Sequence, residues 1–183
     1  MTPPAWTVRL VEELNGADAR ASGVVEGLSE DQLNWRSRPD SWSIGQCLDH
    51  LLVTNRVYLP PMASALQRHV QGLATEIRIG SFGRWFIRRY ADPVTPRTRA
   101  RAPGRSRPSP GVDRSIAEQL VASNEEARRF VDRCGDYDIN RIRFVNPFVP
   151  LIRFTVGTGL EILVRHQRRH LAQAEGVRAR LVG

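Results

Sequence analysis

The chain contains no lysine. All 27 of its basic residues are arginine. That absence excludes Schiff-base and pyridoxal phosphate chemistry and the lysine grip of a P-loop. Its plainer origin is a GC-rich coding bias. Cysteine is nearly absent too: Cys47 and Cys134 are too few for a disulfide scaffold, and both are expected to be reduced. No apolar run approaches the length of a membrane span. The start, Met1-Thr-Pro-Pro-Ala-Trp6, has neither a basic nor an apolar leader region. A cytoplasmic protein with no membrane partner is the expectation.

What remains is the composition of an ordinary globular chain: 183 residues, 41% hydrophobic and 25% charged, with a net charge of +8. This predicts a single domain, residues 1–183, able to bury a full core. The positive charge would suit an anionic substrate or nucleic acid. Many of the arginines, however, fall in one Pro-rich segment, and no recognition motif accompanies them, so nucleic acid is not an expected partner.

Four amphipathic stretches predict an all-α, four-helix bundle. In the first, about Trp6 to Leu28, the apolar positions Leu10, Leu14, Ala17, Ala21, Val24 and Leu28 alternate in steps of four and three, the seam of a bundle helix. A turn follows with Ser29 and Gln32 at capping-box spacing. The second opens on another such box, Ser43-Ile-Gly-Gln46, with Trp42 placed to staple onto Cys47. Pro60-Pro61 is expected to kink or restart this helix, which resumes through Met62, Leu66 and Val70 toward Thr75.

Residues 80–112 read as an irregular crossover between the second and third helices, Pro- and Arg-rich after Asp92. An aromatic patch (Phe82, Trp85, Phe86, Tyr90) near its start could stack bases. The third helix opens at Ser115 with Glu118, and its stripe ends at Cys134. Residues 139–156 are apolar and β-prone with two prolines, an ordered loop with strand character. The fourth helix is expected after Thr158, with Glu161 closing its box. Its inward stripe is Gly159, Leu163, His166, His170, Gln173 and Val177.

Only four histidines are present, so their positions carry information. His166 and His170 are four apart and share one helix face. His50 sits two turns into the second helix. If the second and fourth helices are neighbours, the three imidazoles can meet on one divalent metal ion and leave one coordination position open. His69 reads as a surface residue. Cys47 reads either as a ligand or nucleophile or as a small core residue. Arg165, Arg168 and Arg169 read either as an anion site or as a solvated face. Asp49 and Glu161 are candidate acceptors for the ligand histidines.

Two motifs, Trp42-Ser-Ile-Gly-Gln-Cys-Leu-Asp-His50-Leu and His166-Gln-Arg-Arg-His170-Leu-Ala-Gln-Ala-Glu175, resemble those of the DinB-like, YfiT-like metal-binding superfamily. The Arg101–Pro110 run and Arg143-Phe-Val-Asn-Pro-Phe148 are also similar to its connecting segments. The resemblance implies an up-up-down-down bundle with a metal, zinc or nickel first, on His50, His166 and His170. It further implies a small-molecule substrate, and a thiol S-transferase using a low-molecular-weight thiol or a metal-dependent hydrolase. Homodimers are common in that superfamily. No catalytic residue beyond the ligands is singled out. The alternative is a non-enzymatic bundle that binds metal or a small molecule for stability.

Overall fold

The computed structural model describes residues 2–92 and 104–182. Four long helices form the bundle: α1 (Ala5–Val25), α3 (Ile44–Leu66), α5 (Ile116–Cys134) and α6 (Val156–Val182). The short α2 (Glu30–Asn34) caps one end, and α4 (Ser81–Phe86) lies in the crossover. A two-stranded antiparallel hairpin, β1 (Arg143–Val145) and β2 (Arg153–Thr155), precedes α6, with Phe144 opposite Phe154. No described helix is long and apolar enough to cross a membrane.

Helix starts follow local chemistry. Both capping boxes at Ser29 and Ser43 form, each serine side chain accepting from the backbone three residues on. The other two starts differ from expectation. Ser115 is already helical (φ −75°, ψ −3°) and makes no cap. Instead the Asp113 carboxylate accepts from the Ser115 backbone and hydroxyl. At α6, Thr155 rather than Thr158 supplies the cap, its hydroxyl accepting from the Thr158 N–H at 3.2 Å. The helix therefore begins at Val156, directly out of β2.

Pro60 and Pro61 neither break nor restart α3, which runs unbroken to Leu66. The carbonyls they leave without donors are those of Arg56, exposed, and Val57, half-buried, on the outer side of the helix. The helix stops there rather than near Thr75, and Val70 is exposed. The chain beyond is pinned by the Trp6 indole, which donates to the Ala74 carbonyl at 2.8 Å.

The bundle order departs from the up-up-down-down arrangement. Ion pairs Arg9–Glu161 and Arg20–Glu175 set α1 and α6 parallel. His50 lies beside His166, while Met62 lies against Gly159, so α3 and α6 are antiparallel. Ile44 and Leu48 share one core with Ile116 and Leu120, whereas Tyr58 and Met62 share the other with Phe130 and Cys134, so α3 and α5 are parallel. In chain order the helices run up, down, down, up. The end of α1 (Val24), the start of α3 (Ile44) and the start of α5 (Ile116) meet at one end of the bundle, where they share one core.

Between the two apolar cores lies a buried polar belt contributed by all four long helices. Asn124 Nδ2 donates to Asp18 Oδ1 (2.6 Å) and Gln167 Oε1 (3.0 Å), and Asn124 Oδ1 accepts from Gln167 (2.6 Å) and Asn55 (2.9 Å). Each bond satisfies a group that burial would otherwise strand, so the belt holds the helices in register.

The described part of the crossover holds more regular structure than its composition predicts. The aromatic patch folds into α4 and a following π-helical turn, Ile87–Ala91, packed on α6. Residues 93–103, with much of the Pro/Arg run, lie outside the described residues. A 3-10 turn at Gly104–Ser106 then runs against α3.

Candidate metal centre

The capping box at Ser43 fixes the first turn of α3, and His50 follows on its buried side. Gln46, the box's other partner, donates to the Ser109 carbonyl at 3.0 Å, and the Asp49 carboxylate accepts from the Ser109 N–H at 2.6 Å. These two bonds hold residues 104–112 along α3. They bring the Ser106 carbonyl to 2.5 Å from His50 Nδ1.

His166 and His170 reach the same point from α6. The three ring centroids form a near-equilateral triangle of 4.9, 4.5 and 4.5 Å. One nitrogen from each ring lies within 4.8 Å of the others, and His50 Nε2 is 3.1 Å from His166 Nε2. Ligands about 2.0–2.1 Å from a tetrahedral ion stand about 3.3 Å apart, so the closest pair already has metal-ligand spacing.

The protonation chemistry fits a divalent cation. Burial pushes the His50 pKa below its ordinary value, more than the Ser106 carbonyl and Asp49 raise it. Burial, then the neighbouring histidines and Arg169, hold His166 well below. Burial, His50 and Arg169 do the same to His170. Neutral imidazoles are the form a metal takes. Two tautomers follow from the partners: His50 Nδ1–H donates to Ser106, and His170 Nδ1–H donates to Gln173 Oε1 at 3.1 Å. Each leaves its Nε2 lone pair for the centre.

Above the histidines opens a cavity of about 500 Å³. Trp42 forms part of its wall, its ring 4.8 Å from His50 and 5.5 Å from His170. Phe82, Trp85, Phe86 and Tyr90 line it from the crossover, and Phe148, stacked on Tyr58, lines it from the hairpin tip.

The other expected site residues divide. Cys47 is fully buried and burial pushes its thiol up to about 12, which makes it core and not a nucleophile. Asp49 ties down the crossover rather than a histidine. Glu161 pairs with Arg9 and Arg165. Of the three arginines, Arg168 faces Glu13 and Arg165 faces Glu161 and Asp92, while Arg169 alone lines the cavity, donating to the Tyr90 carbonyl at 3.1 Å. His69 is exposed. Gln173 is exposed at the edge of α6 rather than inward, and the central buried stripe passes through Gln167 and Leu171. The sequence reading missed Ser106, the Trp42 wall and the Gln173 contact. The three-residue step from His170 to Gln173 was a usable signal; nothing near Ser106 marks it.

A family model for the DinB superfamily matches residues 13–174. No curated protein matches this chain. Among solved structures, the chain is similar to YfiT from Bacillus subtilis, with 16% identity and a TM-score of 0.62 over 100% of this chain and 91% of that one. That protein is described as "a probable metal-dependent hydrolase with an unusual four-helix bundle topology".

Proposed function

This chain belongs to the DinB superfamily, and from that premise we propose that it is a metal-dependent enzyme working on a small molecule at His50, His166 and His170. The observation that carries the reading is the convergence of three neutral imidazoles at the floor of an apolar cavity. Three protein ligands leave a coordination position open, the arrangement of a catalytic rather than a structural site. The description of YfiT as a hydrolase supports the same reading.

A bound divalent ion supplies Lewis acidity, lowering the pKa of a water or thiol at its open position and polarising a carbonyl. The chain does the rest. Ser106 and Gln173 hold the His50 and His170 rings in the Nε2-bare tautomer. The aromatic walls make the cavity mostly apolar, which strengthens charge interactions at its floor. Among the described residues that line the cavity, none is a carboxylate that could act as general base. That observation favours a second reading beside hydrolysis. A low-molecular-weight thiol, whose proton is shed far more readily than water's, needs no such base and would serve as nucleophile in an S-transfer.

Metal analysis after purification and dialysis tests the premise. Wild type should retain close to one zinc or nickel per chain, and His50→Ala and His170→Ala should retain little. Unchanged metal content in both variants would end the proposal. Loaded protein should then turn over members of an ester or thiol–electrophile panel. Metal binding with no turnover in any of them would instead mark a bundle that binds metal only for stability.

A further inference from the structure

The aromatic residues around the cavity exceed what packing requires. Phe82, Trp85 and Tyr90 are 50%, 49% and 39% exposed, yet all three line the cavity. Large apolar side chains left uncovered at a cavity mouth mark a binding surface. Their geometry is that of flat faces. Phe82 stacks on Trp85 at 5.7 Å and 26°, and on the hairpin side Phe148 stacks on Tyr58 at 6.0 Å and 10°. Such walls prefer a ring, which gains offset-stacked or edge contacts beyond its area, over an alkyl chain.

Charge selects the other end of the ligand. Among the described cavity-lining residues, Arg169 is the one ionic side chain, and it stands next to His170. With a divalent ion on three neutral histidines, the floor is positive; the carboxylates that act on it, Asp92 on Arg169 and Asp49 on His50, lie outside the cavity lining. An anionic head on an apolar body matches both halves.

We infer that the cavity takes a flat aromatic acid or its acyl derivative, the ring against Trp85, Phe86 and Phe148 and the carboxyl end at the histidines and Arg169. The inference rests on the metal-centre reading for part of the charge, and on the cavity walls alone for the ring.

Metal-loaded full-length protein titrated with 2-naphthoate, 2-naphthamide, octanoate and acetate, followed by calorimetry, tests it. Naphthoate should bind about 30-fold or more tighter than acetate, because ring burial removes of the order of 100 Å² of apolar surface from water. It should also exceed octanoate and naphthamide by about fivefold or more. Trp85→Ala should weaken naphthoate by about tenfold and leave acetate unchanged, since an exposed side chain is removed without disturbing the floor. Arg169→Gln should weaken naphthoate by about tenfold and leave naphthamide unchanged. Octanoate binding as tightly as naphthoate overturns the aromatic assignment, and naphthamide doing so overturns the anionic one. If the purified protein takes up no metal yet binds naphthoate with the Trp85 dependence, the metal centre fails while the ring site stands. If it holds metal and shows no preference for naphthoate, the ring site fails alone.

Discussion

Replacing Asn124 with alanine should test how the histidine-bearing helix is held. Asn124 is fully buried and makes four side-chain hydrogen bonds to α1, α3 and α6. The Asn124→Ala variant removes both side-chain hydrogen bonds that Gln167, itself 1% exposed, makes with Asn124, and takes one from Asn55, which keeps Ser123 at 3.2 Å. Asp18 keeps its ion pair with Arg128. Two buried amide groups left unpaired, at about 1–3 kcal/mol each, give a loss of about 2–6 kcal/mol. That is a large fraction of the roughly 5–15 kcal/mol typical of a domain. Urea unfolding followed by circular dichroism reads the change as a lower midpoint at constant slope. The double variant Asn124→Ala/Gln167→Met should recover part of the loss, because the orphaned amide is then gone. A loss below about 1 kcal/mol for Asn124→Ala, or additivity in the double variant, would refute the claim that the belt sets register.

Metal-free protein should lose stability as pH falls below about 6.5: the three histidines have lowered folded pKa values and bind fewer protons than the unfolded chain, so their contribution is complete above 6.5 and shrinks below it. Thermal midpoints between pH 8 and 5 check this, and a flat profile would contradict it. Cys47, its thiol pushed up to about 12, should resist a disulfide reagent in native protein and react within minutes in denaturant; fast native labelling mapped to Cys47 would place it at the surface. Gly159→Ala should destabilise by about 1–3 kcal/mol, because a Cβ there would stand 2.6 Å from Met62 Sδ and 2.7 Å from the Phe144 ring. A chemical-denaturation midpoint equal to wild type would show that those side chains move aside freely.

Much of the fold is legible along the chain because its causes are local. The step-of-three-and-four stripe from Leu10 to Val24 is a property of one helix, and each of those residues is buried; Leu28, expected to end the stripe, is buried too but lies past the end of α1. Ser43 and Gln46 form their box within four residues. The same locality explains the errors at Ser115 and Thr158. Asp113 and Thr155 compete for the same N–H groups, and spacing alone does not rank them.

By itself, then, the sequence determined the four helices, the hairpin's strand character and the face shared by His166 and His170, since backbone period and capping act over one or two turns. Only the tertiary structure decided the rest. The up-down-down-up order depends on which buried faces meet, as where Ile44 and Leu48 share a core with Ile116 and Leu120. The Ser106 carbonyl meets His50 across 56 positions of chain. The aromatic patch, which in the sequence could stack bases, becomes a wall of the histidine cavity because the π-helical turn that follows α4 packs on α6. Those contacts join residues far apart in sequence, and no local pattern encodes which distant partner a side chain will find.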